Sequence, residues 1–494
     1  MIRIAAFLAL LCIGGEARAE WYRAETAHFT LQAELSEAEM RQLAREIEAL
    51  DAVLVAMTRA PGEGHGRKLD ILMLDRVSTL RRLAGLDAFT GAFFFNNSVD
   101  QAAVVAREDS GNRVTYDVRD ALFHEYGHYF LRRHLGVLQP AWFHEGFASL
   151  FESARMAGAE RMRVGDIPKI ALTLDPAALA PFATIAEVED AMRLGEERQT
   201  LYAQGWLVAH HYFFGGRRAG EIQRYLELVR AGKPIGRPEA LFAGGYKGFD
   251  ADIAGYAAAT LPEPRELDVP PLAPGAVTVR PLRPGEVALV ERRVDDAEIG
   301  GGWLERSGEF ARAYQAADAR LAEWPDEPAL ALYAARMAFL SGNHVRAAEL
   351  IGPLLARDPA DPDLLALEGR VLVLAARAGG DRNFAATLAE SRALLLRVLA
   401  KDPWHVDALA GMHENLTEAR GANAEAIAYL KRAIEVQPDN VMLRQRAIEH
   451  MLRTGDYRGA IAILQPIANA PHGGAVRKHA AELIAEIRRR TGVK

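Results

Sequence analysis

Apolar and polar positions along the chain follow two periods, and the change from one to the other divides it. Residues 21–31, "WYRAETAHFTL", alternate as a strand does. From Ser36 the apolar positions recur at helical spacing, with Ser36 as N-cap and Glu39 three residues on, the spacing of a capping box. "KLDILMLD" reads as a short buried strand, and "GAFFFNN" and "QAAVVARE", flanking the polar "NSVD", read as a hairpin. A helix then starts near Asp117 and stops around Gly136, and a second begins in "AWFHEGFASLFE". Strands followed by helices predict an α+β domain over residues 20–262. Residues 263–300 are Pro-rich, with two short strand-like runs, and predict a linker holding a small β-hairpin.

From residue 301 to 494 the pattern is almost wholly helical, and it repeats. Pro325, Pro359, Pro403 and Pro438 each separate one helix from the next, at spacings of 34, 44 and 35 residues. The long interval contains "RAGGDRNFAA", an insertion of about ten residues on a repeat of about 34. Gly421 and Gly455 keep the same spacing of 34, each followed by a small residue, Ala426 and Ala460, where paired helices must approach closely. This third of the chain resembles tetratricopeptide repeats. The resemblance implies an all-α solenoid whose concave face takes a peptide or protein partner.

The first residues, "MIRIAAFLALLCIGGEARAE", change the picture of where the protein works. A positive start at Arg3, a short apolar run from Ile4 to Ile13, and Ala17-Arg18-Ala19 predict a signal peptide cleaved after Ala19. The apolar run is too short for a transmembrane anchor, which needs about 20 residues. A periplasmic or secreted protein is expected. Removal of residues 1–19 takes away Arg3, Arg18 and Glu16, moving the formal net charge from −7 to −8, and takes away Cys12, the one cysteine. Any metal site must then be built from histidines and carboxylates, and no disulfide can brace the fold. The acidic balance, without a long basic run, excludes nucleic acid as a partner.

The chemistry lies in "HEYGHYFLRRH". His124 and His128 are four residues apart, so on a helix they lie about 40° apart and one turn along, on one face. Glu125 sits beside them, where a general base would take a proton from an activated water. Two residues compete as third ligand. His134 has the spacing of zinc sites that need a glycine to break the helix, but position 131 is Leu. On a continuous helix His134 would lie about 9 Å beyond His128 and about 120° around. It reads instead as a helix C-terminal residue complementing the dipole. Glu145 is better placed, because a short connection brings the start of the second helix back beside the first. His124, His128 and Glu145 would hold one Zn2+ tetrahedrally, with the fourth position open. Ser149 and Glu152 share the face of Glu145, either as hydrogen-bond partners of a ligating histidine or as ordinary helix-surface residues.

"HEYGH" followed after 16 residues by Glu145 in "WFHEGFASLFE" resembles the gluzincin metallopeptidases, in particular the peptidase MA-like group with its W-x-x-E-G-x-A signature. The resemblance covers roughly residues 110–230. It implies His124, His128 and Glu145 as zinc ligands and Glu125 as catalytic base; His144 stands outside it, incidental or supporting. It also implies a tyrosine that steadies the oxyanion. "LYAQGWLVAHHYFFGG" makes that Tyr202, with a buried helix residue as the plainer reading. Aminopeptidases of this class carry G-x-M-E-N upstream, whose glutamate grips a free amine. Here the stretch reads "TGAFFFNNSV", without a carboxylate, so endopeptidase action is favoured. Residues 91–95 are expected to form an edge strand along which an extended peptide docks.

The expected architecture is thus an α+β, gluzincin-like metallopeptidase domain followed by an all-α tetratricopeptide-repeat solenoid. The expected activity is zinc-dependent hydrolysis of a protein or peptide substrate, with the repeats engaging that substrate or another protein partner. A different class stays open: a non-catalytic envelope scaffold that binds partners through its repeats, its metal site structural or idle.

Overall fold

A computed structural model describes residues 20–60, 68–84, 92–96, 100–108, 118–135, 140–186, 197–215, 217–231, 237–297, 299, 308–379, 383–438, 440–468 and 474–493. The leader expected at residues 1–19 lies outside them. Among the described residues, no helix is long and apolar enough to cross a membrane.

A sheet organises the N-terminal part, with strands β1 (Trp21–Glu25), β2 (Phe29–Glu34), β3 (Leu69–Arg76), β4 (Ala92–Asn96), β5 (Gln101–Glu108) and β9 (Thr278–Pro281). Among the described residues it is six-stranded, in the order β4-β5-β3-β2-β1-β9. β2, β3 and β5 run parallel, and the other pairs are antiparallel. The expected single strand at 21–31 is two strands. Thr26 exchanges hydrogen bonds with Phe29 and turns the chain, and Ala24 then faces Leu31. The hairpin of β4 and β5 is present as expected, with Phe94 opposite Ala103.

Both sheet faces are covered, which is why "KLDILMLD" is apolar without clean alternation. Phe29, Leu31, Leu69, Ile71 and Val105 face α1 (Glu37–Thr58) and α3 (Val118–Phe130). Leu72, Leu74, Val104 and Ala106 face α2 (Val77–Ala84) and α10 (Pro284–Asp295). Ser36 and Glu39 close the capping box of α1. Further helices follow α3: α4 (Ala141–Glu152), α5 (Phe182–Ala186), α6 (Glu197–His210), α7 (Ala219–Arg230), α8 (Pro238–Leu241) and α9 (Gly245–Ala258).

The expected linker and hairpin at 263–300 are corrected by the structure. β8 (Arg265–Asp268) pairs with β7 (Arg161–Val164), which also pairs with β6 (Arg155–Met156) in a small second sheet. β9 instead extends the main sheet beside β1. The two runs therefore serve different sheets and never meet. α10 completes the second face of the main sheet, and its buried Arg293 pairs with Asp100 at 2.5 Å and Asp70 at 2.6 Å. The segment thus belongs to the N-terminal unit, whose core runs to Ala297.

α10 also carries the repeats. Tyr333 donates to Asp296 at 2.9 Å, and Arg283 pairs with Glu327 at 2.8 Å. The array comprises α11 (Glu309–Glu323), α12 (Pro328–Leu340), α13 (His344–Arg357), α14 (Pro362–Gly379) and α15 (Phe384–Lys401). It continues with α16 (Val406–Arg420), α17 (Ala424–Val436), α18 (Val441–Arg453), α19 (Tyr457–Ala468) and α20 (Gly474–Thr491). The four periodic prolines fall in the turns before α12, α14, α16 and α18. Gly421 (φ 72°) and Gly455 (φ 73°) adopt the left-handed backbone that closes the alternate turns, which favours glycine. The extra residues of the long repeat are absorbed by lengthening α14 and α15 to 18 residues each. An ion-pair ladder ties α12, α14, α16 and α18 together: Arg336 to Asp407, Arg370 to Asp407 and Glu414, and Arg446 to Glu414.

Candidate metal centre

Three helices build the centre, and three glycines set how closely they pack. α3 carries His124, Glu125 and His128, α4 carries Glu145, and α6 carries Tyr202. A Cβ on Gly127 would lie 3.0 Å from the Ala148 Cα, so α3 and α4 touch backbone to backbone. A Cβ on Gly146 would lie 2.8 Å from the Trp206 nitrogen, and one on Gly205 would strike the Trp142 carbonyl. α4 and α6 therefore meet without side chains between them, one residue from Glu145 and one turn from Tyr202.

His124 and His128 turn their Nε2 atoms to the same carboxylate oxygen. Glu145 Oε2 lies 3.3 Å from His124 Nε2 and 3.5 Å from His128 Nε2. Bonds of about 2.0–2.1 Å meeting at a tetrahedral zinc place neighbouring donors about 3.3–3.4 Å apart, so these two separations are close to the edges of such a tetrahedron. They are long for hydrogen bonds between nitrogen and carboxylate. Consistent with that, Glu145 Oε2 is closed to solvent and accepts no well-formed hydrogen bond among the described residues. Two imidazoles and a carboxylate, without a thiolate, are a donor set that zinc takes. The residues fit the ion.

Around this set, each imidazole is held differently. His124 Nδ1 lies 3.0 Å from Glu152 Oε2, so Glu152, one of two open alternatives in the sequence, is the partner that fixes this ring. Ser149 is buried on the same helix but makes no hydrogen bond among the described residues. Tyr202 lies parallel to the His124 ring, with centroids 5.8 Å apart and planes at 1°. His144 lies parallel to the His128 ring, at 4.1 Å and 9°. Glu125 is buried, with a carboxylate oxygen within 4.8 Å of ring nitrogens of both histidines. His134 is not brought to the centre. α3 passes into a single π turn, Leu131–Leu135, and the His134 ring packs on Phe130 at 4.4 Å. The helix thus continues through Leu135 as the sequence predicts, widened to a π turn from Leu131, and it does not carry His134 back.

Electrostatics mark the place as one that wants positive charge. Burial opposes charging of His124, yet Glu145 and Glu152 push its pKa up to about 10. Burial also opposes ionisation of Glu145, yet His128 first, then the His124 and His144 imidazoles, hold its carboxyl well below the usual range. Burial raises the Glu125 carboxyl, as suits a base that must accept a proton. Burial, with Glu145 nearby, raises the Tyr202 phenol well above its ordinary value, so it stays protonated and able to donate. Burial lowers His144 to about 3, leaving it neutral.

On the far side of α3, Tyr126, the middle residue of "HEYGH", donates to buried Asp51 at 2.6 Å. His28 pairs with Glu48 at 2.7 Å and lies 3.6 Å from Asp51. These groups answer one another and anchor α3 to α1. Sequence reasoning missed Gly205 and this anchor. A glycine inside the helical pattern "LYAQGWLVAH" was the available signal for the first.

Residues 418–483 match the family model described as tetratricopeptide repeat, a match lying wholly in the repeat region. A solved structure, of a thermophilic tetratricopeptide-repeat protein of Thermus thermophilus, is similar at 21% identity, covering 35% of this chain and 90% of that one, with a TM-score of 0.31. Among curated proteins none matches. The chain is therefore a mostly helical protein with a small sheet, ending in tetratricopeptide-like repeats of the kind that mediate protein–protein contacts.

Proposed function

We propose that residues 20–297 form a zinc-dependent peptidase unit that cleaves within a polypeptide chain, and that the repeats engage the protein it acts on. One observation carries this reading: His124 Nε2 and His128 Nε2 converge on Glu145 Oε2 at 3.3 and 3.5 Å, beside the buried base Glu125. An ion held there supplies Lewis-acid chemistry, acidifying a water and polarising a carbonyl. Glu125 takes the proton from the attacking water and passes it to the leaving amine. Tyr202 donates a hydrogen bond to the carbonyl oxygen as negative charge develops there. Glu152 accepts from His124 Nδ1, which leaves the Nε2 lone pair free for the ion.

The substrate's path follows from the sheet. Among the described residues β4 is an edge strand, paired on one side only, and Phe94 packs toward Tyr129 of α3 at 6.2 Å. An extended peptide can add to this edge through main-chain hydrogen bonds. Residues 92–96 carry no carboxylate to grip a free amine, which supports cleavage away from chain ends. The leader expected at residues 1–19 makes the cell envelope the proposed site of action.

Purified full-length protein is expected to hold about one zinc, and His124→Ala to hold none. Zinc-free wild type, or undiminished zinc in the variant, would sink this reading. The tetratricopeptide match favours a second reading, in which the protein is an adaptor and the centre is structural. The buried Glu125 speaks against it, since a structural clamp has no use for a base.

A further inference from the structure

The two ligating rings are held unequally, and the inequality gives His144 a task. Glu152 holds His124 through Nδ1 at 3.0 Å. His128 Nδ1 is buried and has no hydrogen-bond partner among the described residues. A ligating histidine ordinarily donates from its second nitrogen to a fixed acceptor, which sets the orientation of the ring. His128 lacks that constraint. It has instead the His144 ring laid on its face at 4.1 Å and 9°.

We propose that His144 is the positioning residue of His128, holding the ligand ring by stacking and not by ligating the ion. This inference rests on the zinc reading above. The geometry separates stacking from ligation. An ion bound by His128 lies in the plane of that ring, about 2 Å from its nitrogen. A ring laid parallel over the first points its own nitrogens past such an ion. His144 Nδ1 also stands 3.8 Å from Glu145 Oε1, too far to orient the carboxylate through a hydrogen bond. His128, His144 and Glu145 also offer ligand atoms within 4.8 Å of one another, and it is the face-to-face stacking of the two rings that sets His144 apart from a ligand.

Sequence alone leaves this role open, because His144 precedes a ligand and reads as either incidental or supporting. The backbone makes the contact possible. Gly127 lets α4 approach α3 closely enough for successive residues of α4 to meet the ion and the ring beside it.

The test is zinc affinity of the full-length protein, measured by competition with a chelating dye, in wild type, His144→Ala and His144→Phe. Thermal melts of the metal-free proteins show that each variant is folded. His144→Ala is expected to bind zinc at least about tenfold more weakly, as loss of an orienting partner does. His144→Phe, which keeps a flat ring and no nitrogen, is expected to recover to within about threefold of wild type. Equal weakness in Phe and Ala would show that a nitrogen of His144 matters and overturn the stacking role. Unchanged affinity in His144→Ala would overturn any positioning role. Wild type that binds no zinc would reject the metal reading itself, a distinct outcome.

Discussion

Gly205→Ala isolates the placement of Tyr202 from the holding of the ion. The new methyl would sit under 3.0 Å from the Trp142 carbonyl oxygen, where ordinary contact begins at 3.4 Å, and the obstacle is backbone that cannot rotate away. Relief requires α6 to retreat from α4 by about 1 Å. The three donors sit on α3 and α4, so they need not follow. Tyr202, one turn before Gly205, must move with its helix and leave its stack on His124. A displacement of that size costs about a hundredfold in rate when the moved group acts on the reacting atoms. The stability cost is smaller. Overpacking takes about 1–3 kcal/mol, and replacing a mid-helix glycine by alanine returns about 1 kcal/mol. Zinc content by elemental analysis and turnover of an unfolded protein substrate check this together. Retained zinc with roughly a hundredfold lower turnover is expected. Unchanged turnover would refute the placement of Tyr202, and loss of zinc would refute the independence of α6 from the donor set.

Other residues give separate tests. Glu152→Ala should weaken zinc binding about 10- to 100-fold while leaving the fold intact, checked by dye competition and circular dichroism. Arg293→Ala should cost up to about 3–5 kcal/mol in denaturant unfolding, because it leaves the partly exposed Asp70 and Asp100 carboxylates without their shared, buried cation. Acid should loosen the end of the repeats through the buried pair in which His413 Nε2 meets His450 Nδ1 at 3.1 Å. Burial, then the neighbouring His450, lowers His413 to about 4, against 6.5 when unfolded. The unfolded chain therefore binds the extra proton first, so this contribution is complete above pH 6.5 and declines as pH falls toward 4. A melt series in which His413→Gln shows the same decline would contradict that assignment.

The centre was legible because its information is local. Spacing of four puts His124 and His128 on one helix face, and a short connection returns Glu145 to them; their Nε2 atoms stand 3.3 and 3.5 Å from Glu145 Oε2. Tyr202 came only through resemblance, since nothing in its own stretch shows that α6 crosses α4. The crossing depends on Gly146 and Gly205, 59 residues apart and meaningful only as a pair. The Pro-rich segment reads as a hairpin for a related reason. β9 is four residues long, and its partner β1 lies at the other end of the unit, so no local pattern distinguishes an added strand from a hairpin arm. His134 is excluded because no break precedes Gly136, and the helical run does continue through Leu135, its last five residues widened into a π turn that packs the His134 ring on Phe130.

Hydrolysis of an unfolded protein by wild type and by Glu125→Gln, at matched zinc content, tests the peptidase reading most directly. Removing the base leaves both imidazoles and Glu145 in place, so the variant should keep its zinc and lose about 10²- to 10⁴-fold in rate. Equal rates, or no cleavage by zinc-loaded wild type, would contradict it and leave the adaptor reading.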